Sequence, residues 1–413
     1  MKLHIVFLVI SSLLLSAEVN AQVYGCTDSL AVNFNPAATV NDGSCVYDNA
    51  SVSPQRSIEL SSQISETSGL TFWNNLLWTH NDDTDTALYG LDTLNGKIIQ
   101  TYLLNRVVNN DWEEISADDK YLYVGDFGNN WNGNRTDLKI LRISKASMLA
   151  GNSAVDTISY HYSDQVDFSP TGANNTDFDC EAMIVSADSI YLFTKQWITK
   201  ATTVYSLPKT PGNHTANHIS SFNVEGLITG ATYLKDQRLL ILCGYNSLVS
   251  PFAWLIYDLP EHRFFSGNKR KISFSLPFHQ TEGVYASKGL KVYTTNEASS
   301  LSPFINIPPQ LHIFDLSPFL ASYLSKQTLT IELSKGQKEI FIYPDPVTSF
   351  VLLQVADSFQ NEEYRILNAS GSIVNKGKMT GNTVNIDLSC LHTGIFLLKI
   401  GNSSQNTLKL IRR

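Results

Sequence analysis

Charged residues are scarce in this chain of 413 residues. Asp, Glu, Lys and Arg make up 16% of it, and the formal net charge at pH 7 is −8. A chain so poor in positive charge is not expected to bind nucleic acid or an anionic membrane surface. Cysteine (five residues) and methionine (four) are also rare. There is no zinc signature, no glycine-rich phosphate loop and no nucleophile elbow, so no enzyme class recognisable from such a motif is indicated.

Hydrophobic residues account for 43% of the chain and aromatic residues for 11%, which is ample for a large core and argues against disorder. The periodic stretches are rich in Tyr, Phe, Val, Ile and Thr, which favour β-strands. The length exceeds one ordinary domain. We therefore expect an all-β protein of two or three domains, monomeric in solution.

The one long apolar run lies at the start of the chain. LHIVFLVISSLLLS follows Lys2, and the small residues of VNA precede a cleavage expected after Ala21. Residues 1–21 thus read as a secretory signal peptide. No other stretch reaches membrane-spanning length, so no transmembrane segment is predicted. The mature chain should meet an oxidising compartment and be secreted or held at the outer cell surface.

Residues 22–50 form a polar segment bracketed by Cys26 and Cys45. Such a segment is too small for a core of its own, and we expect a disulfide between these cysteines to stabilise it. Cys180, Cys243 and Cys390 lie in apolar, strand-like surroundings, where we expect small buried hydrophobic residues. The pair Cys26–Cys45 should then be the only disulfide.

The same segment resembles a short module of secreted Bacteroidota proteins, through residues 25–28, 33–36 and 41–45. Phe34 and Asn41 depart from its usual Tyr and Asp. Its oxygen-bearing side chains suit calcium, or they simply satisfy hydrogen bonds within turns. Both interpretations stay open for these residues: Asp28, Asn33, Asn35 and Asp42.

Residues 338–413 show the alternation of a small β-sandwich. They also resemble the C-terminal sorting domain of the type IX secretion system, through Tyr343-Pro344-x-Pro346, Gly371, Leu391-x-x-Gly394 and the closing LKLIRR. Asp345 and Phe396 replace the more usual Asn and Tyr. This resemblance implies export across an outer membrane by the type IX machinery, followed by release or surface attachment.

The middle region, residues 52–333, repeats a four-strand pattern five times. Four-stranded units at this spacing are typical of a β-propeller. Five blades are expected, or six if the insertion DQVDFSPTGANNTDFDC hides further strands. RSIELSS at 56–62 should supply an outer strand that closes the ring. The repeats begin at Ser68, Glu113, Glu181, Gly230 and Glu282.

In such a blade, the loop before the first strand and the loop after the second lie on one face of the disc. Acids and amides recur at these positions, except at Thr229 and Gly230 of the fourth repeat. Like charges around one channel need a cation or raised pKa values, and oxygen ligands point to Ca²⁺ or Mg²⁺. The expected metal ligands are Glu66, Asn81, Glu114, Asp126, Glu181, Glu282 and Asn296.

Two short motifs recur in the middle region, Glu66-x-Ser68-Gly69-Leu70 with Asn81-Asp82, and Asp111-x-Glu113-Glu114-Ile115 with Gly125-Asp126. Through these motifs the region resembles the SdiA-regulated and esterase-like propellers. The resemblance implies a propeller with a metal at the mouth of its channel, and it implies no particular reaction.

Two functions stay open. The propeller binds a ligand, such as a glycan or a phosphorylated small molecule, at a divalent cation; or it is a metal-dependent hydrolase of the phosphodiesterase, phytase or lactonase kind. In the hydrolase, Glu114 or Glu282 would be the base and Lys195 would neutralise an anionic group. Trp73 and Trp78 should pack in the core, whereas for Trp131 and Trp197, in loops, core packing and stacking on sugars are both open.

Overall fold

The computed structural model describes residues 22–83, 85–259, 263–287, 289–301, 305–320, 323–324, 340–343, 350–355, 359, 361–381, 383–401 and 407–412. The chain divides into two compact units, Met1–Ser322 and Tyr323–Arg413. The expected signal peptide, the segment joining the units and the Pro344–Pro346 motif lie outside the described residues.

The larger unit contains five four-stranded antiparallel blades, each numbered from its inner to its outer strand. The outer strands of blades 2 and 3 also pair with each other in parallel. Blade 1 is Thr67–Trp73, Leu76–Asn81, Ala87–Leu91 and Ile98–Leu103; blade 2 is Trp112–Ala117, Tyr121–Asp126, Lys139–Ser144 and Val155–Tyr162; blade 3 is Asp179–Val185, Ser189–Lys195, Thr202–Pro208 and Gly212–Phe222; blade 4 is Leu227–Leu234, Leu239–Tyr245, Pro251–Tyr257 and Asn268–Phe274; blade 5 is Thr281–Ala286, Lys291–Asn296, Gln310–Asp315 and Arg56–Glu59.

The five inner strands contact one another in a closed cycle, from blade 1 through blade 5 and back to blade 1. The inner strands approach so closely that a Cβ atom on Gly69 would lie 2.4 Å from the backbone nitrogen of Ile115. The insertion at residues 163–178 contains no strand. The described residues therefore form a five-bladed propeller, and no sixth blade forms within this insertion.

The ring is closed by the N-terminal strand Arg56–Glu59, which pairs antiparallel with Gln310–Asp315. This confirms the closing strand expected at 56–62. The segment TLTIELS, predicted as the fourth strand of the last repeat, lies outside the described residues. A further strand, Ala50–Val52, pairs in parallel with the outer strand of blade 4.

Apolar side chains pack between adjacent blades. One such core joins Phe193 of blade 3 to Leu240 and Ile256 of blade 4. Trp78 is fully buried and Trp73 packs against it, as expected for core residues. The described part of this unit also contains the helix Lys145–Leu149, helical residues at 317–320, the 3-10 turns Ser62–Ile64, Lys235–Gln237 and Phe264–Ser266, and the hairpin Ser299–Leu301 with Ile305–Ile307.

The N-terminal module is a small loop structure held by the Cys26–Cys45 disulfide and by the pairing of Tyr24–Gly25 with Val40–Asn41. It packs on blade 4, where the Asn41 amide donates to Asn268 at 2.9 Å. The four side chains considered for calcium all make local hydrogen bonds or contacts to neighbouring tyrosines. The bonds run from Leu30 N, Tyr47 and Tyr257 to Asp28, between Asn33 and both Ser44 and Val46, from Ala37 N to Asn35, and from Ser44 N to Asp42.

The C-terminal unit is a two-sheet sandwich. One sheet holds Ile340–Tyr343, Phe350–Val355 and Thr383–Asp387, and the other holds Ile373–Lys378, Glu363–Leu367, Gly394–Ile400 and Thr407–Arg412. A single apolar core joins the two sheets, with Leu353 and Ile386 from one and Ile366 and Leu398 from the other.

The unpaired cysteines follow the expectation with one exception. Cys180 and Cys243 are buried, whereas Cys390 is exposed, so the prediction of a buried residue was wrong there. Cys390 falls in the turn after Thr383–Asp387 rather than inside a strand. No helix in the described part of the chain is long and apolar enough to cross a membrane.

Candidate functional site

A cavity of about 220 Å³ opens at the channel mouth where the inner strands begin. Its wall is almost entirely polar, and all five blades or the loops attached to them contribute. The lining residues are Glu66, Thr67, Ser68, Asp82, Glu113, Asn130, Asn174, Glu181, Lys195, Trp197, Tyr245, Gln280, Glu282 and Glu297.

A β-bulge near the start of each inner strand shapes this mouth. In blades 2 to 5 the register shifts by one residue, and the extra residue is Glu113, Glu181, Thr229 or Glu282. Bulges redirect side chains away from the regular alternation. The three glutamates at these positions all line the cavity. In blade 4 the equivalent Thr229 donates to the backbone carbonyl of Thr281 instead.

Three carboxylates converge on one side of the cavity. Oxygen atoms of Glu66, Asp82 and Glu297 lie within 4.8 Å of one another, and all three residues are half-buried. Backbone hydrogen bonds hold them together: Asp82 N donates to Glu66 O at 3.1 Å, and Ala298 N donates to Ser65 O at 2.7 Å. The second bond joins blade 5 to blade 1, so the cluster depends on closure of the ring.

The electrostatics of this cluster are those of crowded like charges. Burial, with the nearby Glu297, raises the pKa of Glu66 to about 7. Burial, with Glu297 and Glu66 nearby, also raises the pKa of Asp82 to about 7. Both groups therefore hold protons near neutral pH unless a cation replaces those protons.

Glu282 adds a fourth carboxylate beside the cluster. Only 5% of its surface is exposed, and its Oε2 atom has no hydrogen-bond partner among the described residues. Oδ1 of Asp82 is also buried without a partner there. Burial raises the pKa of Glu282 well above its ordinary value. Unpartnered buried carboxylate oxygens are costly and mark a place where a ligand can bind.

The opposite side of the cavity carries its own counter-charge. Nζ of Lys195 lies 2.6 Å from both carboxylate oxygens of Glu181. Lys195 also lies over the rings of Trp197, at 4.9 Å, and Tyr245, at 5.5 Å. Although burial opposes its charge, Glu181 keeps the pKa of Lys195 well above its ordinary value. Lys195 is therefore already engaged by Glu181.

Glu114 does not line the cavity and is fully buried. Its Oε1 accepts from Leu70 N at 3.3 Å and Ile115 N at 3.0 Å, and its Oε2 accepts from Ala231 N at 3.0 Å. Burial raises its pKa well above its ordinary value, although these hydrogen bonds oppose the shift. Glu114 thus ties the inner strands of blades 1, 2 and 4 together inside the ring.

Three other predicted ligands are also outside the cavity lining and have partners. Fully buried Asp126 pairs with Arg135 at 2.7 Å and Lys139 at 2.8 Å. Asn81 donates to Gln63 O and Asp85, and accepts from Glu66 N. Asn296 donates to Glu297 O and Pro308 O and is paired with His312. Of the seven predicted ligands, Glu66, Glu181 and Glu282 are brought together in the cavity.

Asp82 and Glu297, which complete the carboxylate cluster, are not among the ligands predicted from the sequence. Each directly follows a residue that was chosen, Asn81 or Asn296. Asn81 and Asn296 are the last residues of their strands and turn toward the blade, whereas the next residue faces the mouth. Alternation at the strand end would have indicated this. Among the tryptophans, Trp197 lines the cavity and Trp131 is 76% exposed.

Comparison with known families identifies the C-terminal region. Residues 341–412 match the model of the secretion system C-terminal sorting domain. This confirms the expected type IX sorting domain, and it marks the protein as secreted or located at the cell surface. No curated protein matches the chain.

Solved structures resemble the chain only weakly. PorZ, a surface component of the type IX secretion system of Porphyromonas gingivalis, has 10% identity and a TM-score of 0.28 over 84% of this chain, which spans 45% of PorZ. A putative glucose dehydrogenase of Thermus thermophilus has 8% identity and a TM-score of 0.36, covering 62% of this chain and 99% of its own. A putative gluconolactonase has 8% identity and a TM-score of 0.33, covering 64% and 94%.

Proposed function

We propose that this secreted propeller binds Ca²⁺ or Mg²⁺ through Glu66, Asp82 and Glu297, and uses the cation to bind a ligand rich in oxygen atoms. The observation that carries the proposal is the convergence of these three carboxylates within 4.8 Å. The unpartnered Oε2 of Glu282, in the same cavity, supports it.

The donor set favours a hard cation. Every charged donor in the cluster is a carboxylate oxygen, the ligand type that Ca²⁺ and Mg²⁺ prefer over nitrogen or sulfur. Three carboxylates leave coordination positions open in a site of six or more ligands. Those positions are available to water or to oxygen atoms of the bound ligand.

The cavity suits a small polar group. At about 220 Å³ it is below the range of roughly 300–1,000 Å³ usual for drug-sized ligands. Asn130, Asn174 and Gln280 supply amide groups, and the half-buried ring of Trp197 offers an aromatic face. One sugar residue or one phosphorylated group would fill it, with the rest of the ligand outside. The ligand is therefore a glycan or a phosphorylated compound.

Hydrolysis is the alternative, and one observation favours it. Oε2 of Glu282 is buried at the cavity without a hydrogen-bond partner among the described residues, and burial raises the pKa of this residue well above its ordinary value, closer to that of a general base at neutral pH. Of the bases expected earlier, Glu282 lines the cavity, whereas Glu114 is committed to the backbone and Lys195 to Glu181. Turnover of phosphodiester, phytate or lactone substrates that requires the cation, and that is lost in Glu282→Gln even at saturating cation, would establish the hydrolase.

The test of cation binding is thermal unfolding with and without excess Ca²⁺ or Mg²⁺. A ligand that binds only the folded state stabilises it by about 2.7 kcal/mol at a hundred times its Kd. We expect a higher melting temperature for the wild type and a much smaller response for Asp82→Asn. Asp119→Asn, an exposed position on the opposite face, removes the same charge and should respond like the wild type.

The ligand is then sought by screening glycans and phosphorylated compounds in the presence of the effective cation. If neither ion raises the wild-type melting temperature, the carboxylates share protons instead of a metal, and the proposal fails.

A further inference from the structure

A second and larger cavity lies on the opposite face of the propeller. It has a volume of about 660 Å³ and spans the turns that follow the inner strands of blades 2, 3 and 4. We call it the basic groove. We call the cavity that contains Glu66, Asp82 and Glu297 the acidic cavity. The acidic cavity lies where the inner strands begin, and the basic groove lies where they end. The two share no lining residue.

The basic groove concentrates positive charge in a chain whose net charge is negative. Four cationic side chains line it, against two carboxylates: Lys120, Arg142, Lys209 and Lys235 face Asp118 and Asp119. Lys120 and Lys235 are exposed and have no ion-pair partner within the described ranges. The groove therefore presents cations to solvent.

The charge of Asp118 is neutralised by Lys209, another residue of the groove. It accepts from Lys209 Nζ at 2.8 Å, from Tyr121 N at 2.8 Å and from the Tyr123 hydroxyl at 2.8 Å. Burial opposes its ionisation, but these bonds outweigh the burial and lower its pKa to about 2. Asp118 thus organises the groove floor and leaves the charges of Lys120 and Lys235 uncompensated.

Arg142 has a hydrogen-bond donor without an acceptor among the described residues, which is a second observation in favour of a ligand. Its guanidinium lies 4.3 Å from the ring centre of Tyr121, and its Nη2 pairs with Asp156 at 2.6 Å. Its Nε is buried and has no hydrogen-bond partner in the described part of the chain. A buried donor without an acceptor is costly, and an incoming oxygen atom would relieve that cost.

We propose that the basic groove binds an acidic polysaccharide carrying carboxylate or sulfate groups. Cations beside the half-buried rings of Tyr121 and Tyr233 suit sugars that bear anions, since rings pack on sugar faces and lysines neutralise the anions. The groove is lined by turns and strand ends, and not by the length of a strand edge of the kind an extended peptide pairs with. Its volume lies in the range usual for ligand-binding pockets. The protein is also secreted or located at the cell surface, where acidic polysaccharides can reach it.

The test measures binding of soluble polymers to the protein in the presence of a chelator, which leaves the acidic cavity without cation. Dextran sulfate and polygalacturonate are the probes, with uncharged dextran and polyglutamate as comparisons. We expect both acidic polysaccharides to bind at low salt and to weaken as salt rises. The double variant Lys120→Gln with Lys235→Gln should bind about fivefold to tenfold more weakly.

The matched control is Lys97→Gln with Lys291→Gln, which removes the same charge from exposed lysines outside the groove. It should bind like the wild type. Binding of only one probe would identify its anion as the recognised group and support the proposal. Equal weakening by the two double variants, polyglutamate bound as tightly as the polysaccharides, or no binding to either polysaccharide would overturn it.

Discussion

Two sides of the acidic cavity have similar sequences, but their carboxylates differ in whether they are paired with cations. On the side of blades 2 and 3, two acids have cationic partners: Glu181, in the cavity wall, pairs with Lys195, and Asp126, just outside that wall, pairs with Arg135 and Lys139. On the side of blades 5 and 1, Glu66, Asp82 and Glu297 converge, and no cation pairs with them among the described residues. We call these the paired side and the unpaired side.

The difference shows that an acidic motif does not by itself indicate a metal site. A carboxylate whose charge is matched by the protein has little need of an ion, and adding one there would create an excess of positive charge. A carboxylate cluster without a matching cation must hold protons or bind an ion. The unpaired side is therefore where cation binding should be sought.

The largest expected effect is on the paired side. Lys195→Met leaves Glu181 buried without its counter-ion, and breaking a buried pair costs about 3–5 kcal/mol. We expect a loss of that order in the free energy of unfolding, measured by chemical denaturation. The double variant Lys195→Met with Glu181→Gln should recover much of the loss. If the double variant were no more stable than the single one, the pair would not be the cause.

Asp126→Asn should show a smaller loss on the same side. Arg135 and Lys139 are left without their shared carboxylate, and each is only about a fifth exposed, at 18% and 22%. A cost of about 1–3 kcal/mol is expected. The loss should be the same with and without cation, because Asp126 lies outside the cavity. A reduced cation response in this variant would mean that the two sides are not independent.

Glu282→Gln should weaken cation binding on the unpaired side. Removing this carboxylate lowers the charge around the cluster, and a tenfold weaker cation affinity removes about 1.4 kcal/mol of cation-dependent stability. Isothermal titration of Ca²⁺ and Mg²⁺ against the wild type and this variant measures the change. Unchanged affinity would place Glu282 outside the cation's influence.

The smallest effect is the pH dependence of the cation-free protein. Glu66 and Asp82 have pKa values raised to about 7 in the folded state, above the ordinary values of 4.5 and 3.8. The folded state then binds more protons than the unfolded state between about pH 4 and 7, so stability is greatest at the acidic end and falls as pH rises through 7.

Because these carboxylates are only half-buried, solvent screening reduces the effect far below the full pKa shifts, and we expect the melting temperature to fall by about 2–4 °C over this range, as a change of about 1 kcal/mol would produce. Excess cation should reverse the fall at pH 8, and Asp82→Asn should flatten the profile. A wild-type melting temperature that rose between pH 5 and 8 without cation would contradict the raised pKa values.

Much of the architecture could be predicted from the sequence. Strand alternation and turns are local, so the inner strands beginning near Ser68, Glu113, Glu181, Gly230 and Glu282 were found, as was the closing strand at 56–62. The two cysteines of the N-terminal module and the strands of the sorting domain are equally local signals.

The site was predicted only in part. Glu66, Glu181 and Glu282 were placed at the mouth, but Asn81 and Asn296 were chosen in place of Asp82 and Glu297. The error of one residue matters because successive residues at the end of a strand face opposite ways. Asp126 looked like a ligand because Arg135 and Lys139, which neutralise it, belong to a loop and a neighbouring strand.

The sequence by itself determined the β-blades and the sorting domain, because these follow from periodicity and motifs within short segments, whereas the choice of five blades over six required the folded insertion. Tertiary structure decided which carboxylates are matched by cations and which are left together. Bulges turn Glu181 and Glu282 into the mouth, and ring closure brings Glu297 of blade 5 beside Glu66 of blade 1. Charge balance in a buried site depends on distances of a few ångströms between residues far apart in the chain, and only the folded ring sets those distances.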